Sequence, residues 1–382
     1  MSWEYKTLDQ LGEVSRGRSK HRPRNDPSLF GGEYPFIQTA DVKAANFYIT
    51  EYDTTYNEKG LAQSKLWHPG TLCITIAANI ADTGILAMDA CFPDSVMGFL
   101  PYEGVADVRF VKYCFDILQQ NCKKISQGAA QDNLSWEKLS TILFPAPPIE
   151  VQKRIADMLS AYDDLIENNQ KQIKLLEEVA QRLYKEWFVD LRFPGHETTP
   201  ITGGIPAGWH IDELGSIAVL KAGGDKPKFF SKEKTEACFV PVFSNGTENE
   251  GLYGYTNYAE IADACVTISA RGSVGYACLR KTAFVPIVRL ISVIPKQIEV
   301  EYLFYFLKNM VFESNGAAQQ QITVPMIKGK QIVIPSKSVM ELFIKQIRPM
   351  MDYREVLKGT ISTLIEARDR LIPKLMNGEI EV

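Results

Sequence analysis

The clearest pattern along the chain is a series of apolar positions spaced alternately four and three residues apart: Ile155, Leu159, Tyr162, Ile166, Asn169, Ile173, Leu176, Ala180, Leu183 and Trp187. This spacing predicts a helix of about 40 residues, roughly 60 Å long at 1.5 Å per residue, with one continuous seam. Met350, Tyr353, Leu357, Thr360, Leu364, Ala367 and Leu371 obey the same rule later in the chain. A constant displacement of 191 residues carries Leu159 to Met350, Tyr162 to Tyr353, Ile166 to Leu357 and Asn169 to Thr360. Each seam thus has one polar position near its middle, the kind of residue that costs stability but fixes register. A helix this long cannot bury its seam against one small domain, so the two are expected to pair with each other.

The stretches before these helices read differently. Short β-branched and aromatic runs are divided by Gly, Asn and Asp, which predicts mixed domains rich in strand. The two halves also echo one another. Leu11-Gly12-Glu13 returns as Leu214-Gly215-Ser216, following Trp3 and Trp209. Gly70 to Ile76 resembles Ala262 to Ile268, and Gly128-Ala129-Ala130-Gln131 returns as Gly316-Ala317-Ala318-Gln319. Each half runs through a strand-like segment to a proline, Pro145 or Pro335, and then becomes helical in period. Between the halves, residues 191–208 are rich in Pro, Gly and Thr, which reads as a linker. The expected organisation is therefore a globular domain over 1–146, a helix over 147–190, the linker, a second domain over 209–335 and a second helix over 336–382. The fold class is α+β: two similar domains joined by two long antiparallel helices in a coiled coil, with a pseudo-two-fold relation.

Composition adds little to this picture except by exclusion. Hydrophobic residues are 45% and charged residues 23%, as in ordinary globular proteins. No apolar run reaches the ~18 residues of a membrane span. The seven cysteines include no Cys-x-x-Cys pair, which argues against zinc and for reduced, mostly buried thiols in the cytoplasm. Net charge is −4, a mild argument against nucleic acid. The charge is unevenly placed, however. Arg16, Arg18, Lys20, Arg22 and Arg24 alternate along one segment with no acid before Asp26. Such a strip suits several phosphates, and an arginine within it could address guanine in bidentate fashion; a solvated loop is the plainer alternative.

Catalytic signatures are missing from the sequence. It has no Gly-x-x-x-x-Gly-Lys-Ser/Thr phosphate loop, and Pro147-Pro148 lacks the flanking Asp/Asn and Tyr/Phe of an amino-methyltransferase loop. Asp41-Val42-Lys43 with Asp26 upstream is a chance-level match to a nuclease carboxylate–lysine set. No metal site is expected. A duplicated chain without such motifs points to binding rather than catalysis, with a coiled-coil protein scaffold or a DNA enzyme with an unrecognised site as the competing readings.

Several segments resemble the specificity (S) subunits of type I restriction–modification systems. Ile205-Pro206-Ala207-Gly208-Trp209 followed by Leu214-Gly215 is similar to the opening of a target-recognition domain. Pro147-Pro148-Ile149-Glu150-Val151-Gln152-Lys153-Arg154-Ile155 resembles the family's entry into its long helix, and Leu371 to Ile380 its usual ending. The second half departs from the pattern, since Ser336-Lys337-Ser338-Val339-Met340-Glu341-Leu342 lacks both the Pro-Pro and the Glu-x-Gln elements. The resemblance implies a non-catalytic chain that reads a bipartite, gapped target on double-stranded DNA. It also implies two methyltransferase subunits and restriction/translocase subunits as partners, with S-adenosylmethionine, ATP and Mg on those partners and none on this chain. Candidate DNA contacts are then the strip Arg16, Arg18, Lys20, Arg22 and Arg24, together with Gln38 and Thr39 after an apolar run. In the second half they are Lys226, Lys228, Ser244, Asn245 and Arg271; ordinary surface or turn duty remains open for each.

Overall fold

The computed structural model describes residues 3–76, 82–125, 136–311 and 321–382. The Gly-Ala-Ala-Gln repeats at 128–131 and 316–319 lie outside the described residues. The chain forms two compact units, Met1–Gln172 with Leu357–Val382, and Ile173–Val356. Both divisions fall inside long helices, Ile149–Tyr184 and Lys337–Met376, so each helix gives one end to each unit.

In the first unit a five-stranded sheet runs in the order Gly12–Arg16, Val96–Pro101, Leu72–Thr75, Thr83–Leu86, Tyr48–Ile49. Neighbours are antiparallel except the last, which is parallel. The two strands Leu72–Thr75 and Thr83–Leu86 are buried at every position because both sheet faces are covered. The period of two still sorts their side chains. Leu72, Ile74, Ile85, Met97 and Phe99 join a core with Phe110, Val111 and Phe115 of the helix Val108–Ile125. Cys73, Leu86 and Val96 face the other way, toward Trp67 and Phe92, whose rings stack at 4.7 Å. Glu4–Lys6 pairs with Phe144–Ala146 and so delivers the chain to the first long helix. Gln152, fully buried in that helix, accepts a bond from the Asp107 amide (3.1 Å) and donates to the carbonyls of Val105 (2.9 Å) and Pro147 (2.8 Å).

The second unit repeats this plan. Its sheet runs Ala218–Ala222, Ile291–Pro295, Cys265–Ile268, Ala277–Arg280, all antiparallel. The helix Val300–Lys308 packs on it, and His210–Glu213 pairs with Gln331–Ile334 just before the second long helix. The Pro/Gly-rich stretch between the halves has structure of its own. Ile201–Thr202 and Ile205–Pro206 form a hairpin across Gly203 and Gly204, whose φ values of 61° and 84° are those a two-residue turn of this kind requires. Phe193 is buried against Trp209 at 4.8 Å.

The structure shifts two of the sequence alignments by three residues each. The short helices Leu8–Leu11 and Leu214–Ile217 correspond, so Leu8 matches Leu214 and Leu11 matches Ile217, all buried; the Leu-Gly echo placed Leu11 on Leu214. The long helices likewise correspond at a displacement of 188, not 191: Phe144 matches Ile332, and Ile155 and Leu159 match Phe343 and Ile347. In the first helix none of the ten seam positions is exposed. In the second, the least exposed face runs Ile347, Met350, Arg354, Leu357, Ile361, Leu364, Arg368, Leu371, Leu375. Tyr353, 48% exposed, and Thr360, also exposed, are therefore not seam residues; Met350, Leu357, Leu364 and Leu371 lie on the face, and Ala367 beside it. A heptad seam alternates steps of three and four, so an offset wrong by three still superposes half of its positions.

Within the first unit, Ile155 and Leu159 share a core with Ile372, Leu375 and Met376, and Asp163 is ion-paired with Arg368. Within the second, Arg354 meets Glu177 at 2.5 Å and the rings of Trp187 and Phe343 lie 5.9 Å apart. In both units the paired segments run antiparallel. The corrected phase makes a simple prediction. Leu357→Ala removes a buried side chain and should cost about 2–5 kcal/mol, whereas Thr360→Ala, on the exposed face, should cost under about 1 kcal/mol. Urea denaturation of the two variants measures the contrast, and equal losses would restore the original phase.

Candidate nucleic-acid interface

The basic strip of the first unit leaves the sheet strand Gly12–Arg16, runs without regular structure to His21 and turns over Arg22–Asn25. Its alternation is built by backbone pinning. The Gly17 amide donates to the Val96 carbonyl (2.8 Å), the Arg18 amide to that of Phe92 (3.0 Å), and the Arg18 carbonyl accepts from Ser64 Oγ (2.7 Å). The amides of Lys20 and His21 both donate to Gln63 Oε1, at 2.7 and 3.0 Å. Gly17 and Ser19 are thereby buried, while Arg16, Arg18, Lys20, Arg22 and Arg24 project into solvent. A Cβ on Gly17 would sit 2.3 Å from the Pro93 carbonyl oxygen, so only glycine permits this approach.

Arg24 is neutralised by Asp94 at 2.8 Å. The others are not: among the described residues Arg16, Arg18, Lys20 and Arg22 have no carboxylate partner, and Arg22 donates only to the carbonyls of Ser19 and His21. His21 meets Asp26 at 2.8 Å, and the Ser28 amide, its hydroxyl and His21 together hold the Asp26 carboxyl below its ordinary range. Four uncompensated cations thus project from a segment whose backbone is pinned at Gly17, Arg18, Lys20 and His21. Lys65 adds a cation nearby, with Nζ 3.6 Å above the Trp67 ring and 3.3 Å from Ser15 Oγ.

Gln38 and Thr39 lie on the other side of the same spine. The Cys91 carbonyl accepts the Ile37 amide at 2.8 Å, one residue before the Phe92 carbonyl accepts Arg18. Gln38 caps the short helix Thr39–Ala44; its amide nitrogen donates to Thr54 Oγ1 (3.3 Å) and its side chain is exposed, while Thr39 is half-buried. Asp41 is occupied at this cap, accepting the Gln38 backbone amide at 2.7 Å, with its pKa raised by burial.

The second unit builds the same three-layer arrangement. Gly223, at the end of Ala218–Ala222, has no room for a Cβ, which would lie 2.6 Å from the Pro286 carbonyl. The Val288 and Arg289 amides donate to the carbonyls of Gly224 and Gly223 (2.8 and 3.0 Å), and the Ile287 amide to Phe243 (2.9 Å). Lys226 and Lys228 follow on one side; both are exposed, and Lys226 Nζ sits 3.9 Å above the Phe230 ring. Ser244 and Asn245 follow on the other side. Ser244 is half-buried, its amide bonded to the Gly251 carbonyl at 2.8 Å. The Asn245 carboxamide is engaged at both ends: its nitrogen donates to the Val288 carbonyl (2.6 Å) and its oxygen accepts from the Ala270 amide (2.7 Å). It ties three loops together. Arg271 is exposed and reaches Gln321 at 3.2 Å.

Sequence reasoning missed Arg289. It and Val288 are both left-handed, at φ 62° and 54°, a conformation costly for a β-branched residue and held here by the bonds from Gly223, Gly224 and Asn245. The result is an exposed arginine on a strained turn beside Asn245. Nothing in the local sequence marks it; only alignment of the spine 91–95 with 285–289 would have. Among the described residues no cluster of metal-ligating side chains occurs, and no helix is long and apolar enough to cross a membrane.

A duplicated α+β domain, each copy followed by a long helix and each bearing cations on one rim, defines the class. The chain belongs to the type I restriction modification DNA specificity domain family, whose model matches residues 1–178 and 206–347. It is 26% identical to the type I restriction enzyme MjaIX specificity subunit of Methanocaldococcus jannaschii, across 100% of this chain and 94% of that one. It is 22% identical to the HindI specificity subunit of Haemophilus influenzae, across 97% and 98%. The fold matches the crystal structure of the type I restriction–modification S subunit from M. genitalium with a TM-score of 0.62 at 16% identity, covering 98% of this chain and 96% of that one.

Asn245 offers a direct test of the site's construction. Asn245→Ala leaves the Val288 carbonyl and Ala270 amide without their partner and should cost about 1–3 kcal/mol. Hydrogen exchange at the Ala270 amide should accelerate. An unchanged exchange rate would mean that the side chain does not hold these loops.

Proposed function

We propose that this chain is the specificity subunit of a type I restriction–modification complex and reads a two-part, gapped DNA target, one part with each unit. The observation that carries the reading is the duplicated rim: Arg16, Arg18, Lys20 and Arg22 uncompensated in one unit, and Lys226, Lys228, Arg271 and Arg289 around the equivalent spine in the other. Cations of this kind position a duplex through its phosphates, while residues set between them, Gln38 and Thr39 in the first unit, address base edges. Asn245 serves the reading indirectly, by shaping the turn that carries Arg289.

In this reading the long helices pair along their length as an antiparallel coiled coil and fix the gap between the two half-sites. The chain performs no chemistry. Two methyltransferase subunits dock on it and supply S-adenosylmethionine chemistry; restriction subunits supply ATP- and Mg-dependent translocation and cleavage.

Replacing Arg16, Arg18, Lys20, Arg22 and Arg24 together by Ala should weaken DNA binding by the assembled complex and reduce the slope of log affinity against log salt by roughly one unit per lost phosphate contact. Methylation mapping of DNA from cells with and without the chain should reveal a gapped motif only in its presence. A motif that persists without the chain, or an unchanged salt slope, would overturn the reading.

A further inference from the structure

Two ion pairs join the long helices, one within each unit, and they have the same polarity. In the first unit Asp163 belongs to the first helix and Arg368 to the second. In the second unit Glu177 belongs to the first helix and Arg354 to the second. Both are set into packed surroundings. The Asp163 side chain is 1% exposed and also accepts the Tyr113 hydroxyl at 2.5 Å; that of Arg354 is 18% exposed and bonds Glu250 at 3.0 Å as well. Burial opposes the charge on Arg368, yet the carboxylates of Asp163 and Asp369 hold its guanidinium firmly protonated.

The displacement of 188 residues identifies what stands at each equivalent position in the other helix. Asp163 corresponds to Met351, Glu177 to Ile365, Arg354 to Ile166 and Arg368 to Ala180. All four counterparts are apolar. If two first helices paired in the same geometry, Asp163 would meet Ala180 and Glu177 would meet Ile166. If two second helices paired, Arg368 would meet Met351 and Arg354 would meet Ile365. Each like-with-like pairing thus sets four charged groups, two from each copy, against apolar neighbours, and the unlike pairing satisfies all of them. Removing one partner of a buried pair is strongly destabilising because the remaining charge stays desolvated.

We infer that this one-way distribution of charge makes the helix face a partner-selecting surface: a first helix accepts a second helix and rejects another copy of itself. The aliphatic seam cannot do this, since its spacing is common to both helices and would accept either partner. Selection matters in a duplicated chain because each half resembles its sibling closely enough to compete for it, within one molecule or between two. The inference concerns helix pairing and stands whether or not the chain reads DNA.

The more exposed pair, Glu177 with Arg354, allows a test on the full chain. Two differently tagged versions, Glu177→Arg and Arg354→Glu, are co-expressed, and each is also expressed with a tagged copy of itself. Either substitution alone should lower the melting temperature, and both in one chain should recover part of the loss, since Glu250 still faces residue 354. Chains carrying different substitutions can restore both ion pairs by exchanging helices. They should copurify at least about tenfold more than chains carrying the same one. Equal copurification of like and unlike chains would overturn the inference. So would a double variant no more stable than the worse single one, since the charges would then act without regard to each other.

Discussion

A helix of 36 or 40 residues has more apolar face than any one small domain can cover, and the chain's organisation follows from how that face is buried. The start of each long helix is part of its own domain's core, through Ile155 and Leu159 in one case and Phe343 and Ile347 in the other. The far end of each helix completes the core of the opposite unit, through Ile372 and Leu375 or Ala180, Tyr184 and Trp187. The first unit is therefore assembled from two separate stretches of sequence, and the second, Ile173–Val356, is continuous but takes the end of the first long helix into its core. The hydrophobic core of each is finished by chain that arrives from the other half, which makes helix pairing and domain folding parts of one process.

The sheets depend on this arrangement in turn. Strands such as Leu72–Thr75 and Cys265–Ile268 are buried along their whole length, so each sheet must be covered on both faces. One face takes the short helix and the long helices; the other takes the small strand layer that carries the cations. The rims are thus held by the side of the sheet that the helices leave uncovered. Backbone bonds around 91–92 and 287–289 lock the strip and the cap segment to one spine, so side chains distant in sequence project from a common edge.

Much of the architecture was legible because it rests on periodicity. The 4–3 spacing from Ile155 to Trp187 located the first helix and its buried face, and the strand-to-proline-to-helix transition located both halves. Register was harder. Leu-Gly repeats and heptads each match themselves at several offsets, and only hydrogen-bonded pairing of Phe144 with Lys6 and of Ile332 with Asp212 fixes the displacement. Pro349 and Gly359 lie inside the second long helix, where packing overrides their poor helical propensity. In the candidate interface, the alternation of Arg16 to Arg24 announced an exposed strip, because alternation is itself a backbone signal. Asn245 and Arg289 were opaque for the opposite reason. Their roles depend on loops far apart in sequence, and a left-handed valine carries no compositional mark.

The ambiguity of three residues between the helices has a genetic side. Repeated segments within one gene are substrates for unequal exchange, and heptad coding sequence aligns with itself at more than one offset. An exchange at the true displacement of 188 keeps the apolar phase but mixes the charges, because Glu177 stands opposite Ile365 and Arg354 opposite Ile166. One at 191 leaves half of the aliphatic seam superposed but moves Arg354 and Arg368 off the positions that meet Glu177 and Asp163. The apolar pattern tolerates the first exchange fully and the slipped one in part, whereas the ion pairs tolerate neither, so the charged residues keep the two helices distinct pieces of a duplicated chain.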